Sequence, residues 1–80
     1  MKKHKKRPSA LEIVYSNRYC IKIEADYARL RYGSVCAGDW EKLYYKCIGF
    51  LEANVGIKHP TVEKNVETVR TIKNLVFGIL

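Results

Sequence analysis

The chain has no glutamine, one tryptophan, one methionine, two prolines and no two cysteines at Cys-x-x-Cys spacing. Its three cysteines, Cys20, Cys36 and Cys47, are odd in number and far apart, so neither a zinc site nor a disulfide framework is expected. Each reads instead as a small apolar side chain in a reducing compartment. There is no Gly-rich phosphate loop, no His-Glu-x-x-His and no nucleophile elbow, and the acids are scattered singly, so no carboxylate pair can divide acid and base roles. His4 and His59 have no partner at metal or triad spacing; His59, just before Pro60, reads as a helix cap or a solvated side chain. A non-enzymatic protein is expected, with no cofactor, no metal and no small-molecule substrate. No apolar run approaches the length of a bilayer span, and the basic start leads into Pro8 and a charged, alternating stretch, not the apolar core of a secretory signal. A cytoplasmic location without a membrane partner follows as the expectation.

What is present is charge, unevenly placed. Lys2, Lys3, Lys5, Lys6 and Arg7 supply five of the fifteen cations, leaving ten against eight acids, so the formal charge of +7 lies mostly in the tail. A short like-charged block cannot bury apolar area to offset its ordering entropy; residues 1–8 therefore read as a disordered basic arm. Residues 9–80 read as a single small domain, near the size at which self-association or a partner helps stability. The lack of Gln beside abundant Lys, Glu, Tyr, Ile and Val leans toward a thermophilic source.

Residues 11–32 sort best with period two. Strands at about 11–15, 19–24 and 27–32, with turns at Ser16, Asn17 and Arg18 and at Ala25 and Asp26, form an antiparallel meander. Its cross-strand rows are Tyr15, Tyr19, Tyr32; Ile13, Ile21, Leu30; and Leu11, Ile23, Ala28. The opposite face carries Glu12, Val14, Cys20, Lys22, Arg29 and Arg31. The alternative is one long helix from Ser9, and Ser9 with Glu12 three residues on spells a capping box. On a wheel, however, that helix is greasy nearly all round, and its β-branched and aromatic residues suit a pleated surface. Strands are the preferred reading, and the tyrosines Tyr15, Tyr19 and Tyr32 then belong to the core.

The rest is helical by period. Trp40, Leu43, Tyr44, Cys47, Ile48 and Leu51 make a stripe over about 39–55, with Asp39 as N-cap, Gly56 as C-terminal cap and Gly49 on the polar side. Pro60 opens a second helix over about 60–79, striped by Val62, Val66, Val69, Ile72, Val76 and Ile79. The expected class is α+β, a three-stranded meander packed on two helices; the alternative is an all-α bundle. One sheet and one helix leave too much of the last stripe uncovered, which points to a homodimer through Val69, Ile72, Val76 and Ile79.

A three-stranded sheet backed by one helix resembles, in architecture alone, the DNA-binding modules of a class of plant transcription factors and the arm-binding domains of some tyrosine recombinases. That resemblance implies a sheet laid in the major groove. Separately, Gly38-Asp39-Trp40-Glu41-Lys42-Leu43 is similar to the inter-helix junction of a tetratricopeptide repeat, though Gly33 lies five residues before Gly38 where the repeat has seven, and there is one copy. The expected function is DNA binding, as in a small transcriptional regulator. Lys22, Arg29 and Arg31 form the cationic sheet face, Arg18 in the first turn adds to the same patch, and Lys2, Lys3, Lys5, Lys6 and Arg7 follow phosphates. Double-stranded DNA is favoured over RNA as partner. The alternatives are an RNA- or ribosome-associated protein and an all-helical protein-interaction adapter.

Overall fold

The computed structural model describes residues 8–33 and 36–80, and among these there are three α-helices and no strand. α1 spans Ala10–Gly33, α2 spans Ala37–Ala53 and α3 spans Pro60–Ile79. The α+β expectation is overturned: strands 11–15, 19–24 and 27–32, and both their turns, lie inside one helix of 24 residues. The fold is the all-α alternative, and the likeness to sheet-based DNA-binding modules falls with the sheet.

Chemistry at Ser9 starts that helix. The Glu12 N–H donates to Ser9 Oγ at 3.1 Å while the Ser9 N–H donates to Glu12 Oε1 at 2.9 Å, a reciprocal capping box that satisfies two donors of the first turn. Beyond it the buried side chains are Ser16, Cys20, Ile23 and Leu30, and half-buried Tyr27 completes a spacing of four, three, four and three. That is a helical seam of period 3.5. Ser16 and Cys20 disguise it, because bulkier apolar residues stand outside it: Ile21, assigned to the core beside Ile13 and Leu30, is 62 % exposed, whereas Leu30 is 3 % exposed. A helix also closes its backbone hydrogen bonds locally, where a small sheet would leave two edges unpaired.

α2 runs antiparallel to α1, with Tyr27 packed edge-on against Trp40 at 5.9 Å. The helix starts two residues before the expected 39–55 boundary: Cys36 occupies the cap position, its side chain making no cap hydrogen bond, and Asp39 lies in the first turn, where its charge suits the positive helix end. The repeat-like segment Gly38 to Leu43 thus does follow an inter-helix connection. α2 ends at Asn54, and Gly56, at φ 80°, supplies the left-handed turn that a side chain would strain. α3 matches its expected span, capped by His59, whose Nδ1 accepts from the Thr61 N–H at 3.2 Å.

α3 closes the core against both other helices. Asn65 on α3 donates from Nδ2 to Ser16 Oγ at 3.0 Å and Asn17 Oδ1 at 2.7 Å, while the Cys20 thiol lies 3.9 Å from the Asn65 carbonyl oxygen. Such close approach is open only to a small seam. Val69 and Val76 are fully buried at 0 % and Ile72 is buried with them. These three members of the expected dimer surface are therefore consumed by the chain's own core, which leaves Ile79 exposed. The sequence underestimated the available cover because α1, as a helix, lies on the stripe that a sheet would not have reached. No helix among the described residues is long and apolar enough to cross a membrane.

Two stability outcomes follow. Ser9→Ala should cost about 1 kcal/mol by removing a capping acceptor, and Leu43→Ala roughly 2 to 5 kcal/mol by opening a core cavity. Urea unfolding followed by far-ultraviolet circular dichroism measures both, and its native spectrum should show helix without a strand component.

Candidate nucleic-acid interface

α1 and α2 are tied together about midway along α2 and flank an open groove. The tie is Asp26: its carboxylate accepts from Lys46 of α2 at 3.0 Å and from Arg29 at 3.2 Å. Past this clasp lies an open groove of about 1060 Å³. Tyr15, Tyr19, Lys22 and Asp26 line its α1 wall, four, three and four residues apart and so on one helical face. Lys46, Gly49, Phe50 and Ala53 line the α2 wall, and Val55 and Ile57 of the following turn close its end.

The tyrosines overturn their core assignment. Tyr15 is 49 %, Tyr19 54 % and Tyr32 85 % exposed. The Tyr15 and Tyr19 rings lie 6.5 Å apart, inclined by 32°, and Lys22 Nζ stands 5.8 Å from the Tyr19 ring centre. A cation near the ring face is held by the ring's quadrupole. Tyr27, by contrast, is half-buried against Trp40, and Tyr45 is exposed.

The cationic residues regroup when a strand becomes a helix. Arg29 and Arg31, two apart, would share a sheet face, but about a helix axis they differ by roughly 200°, so Arg31 leaves the patch. Arg18, Lys22 and Arg29 instead form one exposed row on the solvent side of the groove, spanning about 16 Å along the axis. Among the described residues neither Arg18 nor Lys22 has a carboxylate within ion-pair distance. Lys2, Lys3, Lys5, Lys6 and Arg7, and the expected arm as a whole save Pro8, lie outside the described residues. Sequence reasoning missed Tyr15, Tyr19 and Phe50. The available signal was the spacing of Tyr15, Tyr19 and Lys22, which shares a face only under the helical reading announced by the capping box.

Burial sets the direction for the two interior thiols, whereas cationic partners set it for Asp26. For Asp26 burial is the largest single influence and pushes its carboxyl up, but the hydrogen bonds and charges of Lys46 and Arg29 together outweigh it and hold the group below its ordinary 3.8. Burial pushes the Cys47 thiol up to about 11 against a smaller opposing pull from Lys73, and burial aided by Glu24 raises Cys20. Both stay protonated and inert, as small core side chains, while Cys36 is exposed. Among the described residues no three His, Cys, Asp or Glu side chains gather closely enough to hold a metal ion.

Three outcomes test this geometry. A thiol-reactive probe should label one cysteine in the native protein, Cys36, and three after denaturation. Because the Asp26 pKa is depressed on folding, its stabilisation is complete above 3.8 and lost as pH falls through the folded value. Asp26→Asn should thus reduce stability by up to about 1 kcal/mol at neutral pH, with the difference from wild type vanishing in acid melts, since Lys46 and Arg29 are largely solvated. Gly49→Ala should stabilise by about 1 kcal/mol, because a Cβ there meets nothing within 4 Å.

Comparison with known proteins finds no matching family model, no matching curated protein and no matching solved structure.

Proposed function

We propose that the chain is a small non-enzymatic nucleic-acid-binding protein whose contact surface is α1, not a sheet. One observation carries this reading: Arg18, Lys22 and Arg29 form a single exposed row beside exposed aromatic rings, in a body whose formal charge is otherwise close to balanced. A row of this kind takes phosphates through charge and hydrogen bonding, and the five cations of residues 2–7 add sequence-independent attraction. The preference for duplex DNA loses its support, since it depended on a sheet entering the major groove. Regulation of transcription keeps no specific support for the same reason.

A second reading is favoured by a different surface. Val14, Ile21 and Ala28, seven apart, lie exposed on the outer side of α1, and Phe77, Ile79 and Leu80 are exposed at the end of α3. Those residues suit a protein contact, including self-association, better than the buried valines of α3 do. Sedimentation of wild type against Ile21→Lys separates a monomer from a pair held through α1.

For the nucleic-acid reading the expected behaviour is a linear fall of log affinity with log salt. Removing residues 2–7 should flatten the slope by roughly 0.7 to 0.9 for each phosphate no longer neutralised, and weaken all sequences alike. Retention of a nucleic acid with no dependence on salt would count against the cationic row.

A further inference from the structure

We infer, resting on the nucleic-acid reading, that the groove between α1 and α2 stacks unpaired bases while the Arg18, Lys22 and Arg29 row holds the backbone of the same strand, making single-stranded nucleic acid the ligand. Three independent features converge on that occupant.

The first is the placement of the aromatic side chains. Tyr15 and Tyr19 present half their surface to solvent and line a groove that also exposes part of the α2 wall. Every base has a π-face, so paired rings beside a cation bind unpaired bases with little regard to sequence. A duplex offers edges and phosphates, its faces being occupied by stacking, and would leave both rings unused.

The second is Gly49. It sits in the interior of α2, where glycine is the least favourable residue after proline. Its backbone is not in the left-handed region, and no atom of the chain lies within 4 Å of where its Cβ would be. Neither local conformation nor internal packing therefore calls for a glycine. What its missing side chain does is widen the groove opposite the tyrosines.

The third is charge. Arg18 and Lys22 stand about 6 Å apart along the axis on the rim above the rings, with no ion-pair partner among the described residues, and Arg29 continues their row. The walls carry Tyr15, Tyr19, Phe50 and Val55 together with the carboxylates of Glu12 and Asp26, so a strand fits with its phosphates on the cationic rim, away from those carboxylates, and its bases turned in toward the rings. An apolar helix from another protein would fit the walls but leave the row without a counterpart.

Fluorescence anisotropy of the full chain tests this with labelled oligo(dT) of roughly 15 nucleotides, within single-strand site sizes, and a duplex of equal length. The expected result is at least roughly tenfold tighter binding of oligo(dT). Tyr19→Leu and Gly49→Leu should each weaken it by roughly 5- to 150-fold, the range for losing one stacked base. Both variants should leave duplex binding nearly unchanged, as should Arg31→Ala on the far side of α1 for either ligand; Tyr19→Leu should melt close to wild type and Gly49→Leu somewhat above it, since a good helix former replaces a glycine in a helix interior with open space beside it. Equal binding of duplex and oligo(dT), with Tyr19→Leu and Gly49→Leu silent, overturns the stacking site and leaves the nucleic-acid reading standing. Binding of neither at low salt takes down both. Loss of folding in one variant leaves the other to decide, since the two changes lie on opposite walls.

Discussion

The close crossing of α1 and α3 at Ser16, Cys20 and Asn65 is the constraint from which the rest of the molecule follows. Two small side chains bring the helices near enough for the Asn65 amide to reach both Ser16 and Asn17 and for the Cys20 thiol to meet a backbone oxygen. Buried polar bonds of this kind set register more than they add stability, since a slip would leave the Asn65 amide and the Ser16 hydroxyl without partners. With α1 held on α3, the valines of α3 are covered from within the chain. The side of α1 that carries Tyr15, Tyr19 and Lys22 is then turned toward the open end of α2.

The groove persists because little in its walls draws them together. Asp26 clasps α1 to α2 at one point through Lys46, and beyond that point α2 offers Gly49 and Ala53, which have no bulk to fill the gap. A bundle selected only for stability would place larger side chains there. Poor filling beside exposed apolar surface is a familiar mark of a contact site.

Charge shows how far secondary structure decides meaning. The same Arg29 and Arg31 share a surface at period two and oppose one another at period 3.6, whereas Arg18, placed in a turn by the strand reading, joins Lys22 and Arg29 in a single row along the helix. A set of basic residues is therefore not yet a surface. The aromatic residues follow the same rule: Tyr15, Tyr19 and Tyr32 form a core row on strands and are solvent-facing on α1.

By itself the sequence determined α2 and α3, whose stripes, turn glycine, Pro60 and His59 cap are local signals strong enough to set them within a few residues. It also carried the uneven charge, and it wrote the Ser9 and Glu12 capping box in plain view. Only the tertiary structure decided the state of residues 10–33. Their apolar side chains satisfy both periods, so local preferences nearly balance, and the seam of Ser16, Cys20, Ile23, Tyr27 and Leu30 becomes the favourable face once α2 and α3 supply something to bury it against. The groove was likewise beyond reach of the chain read alone. It is formed by residues twenty or more positions apart on facing helices, whose separation is set by packing elsewhere in the bundle.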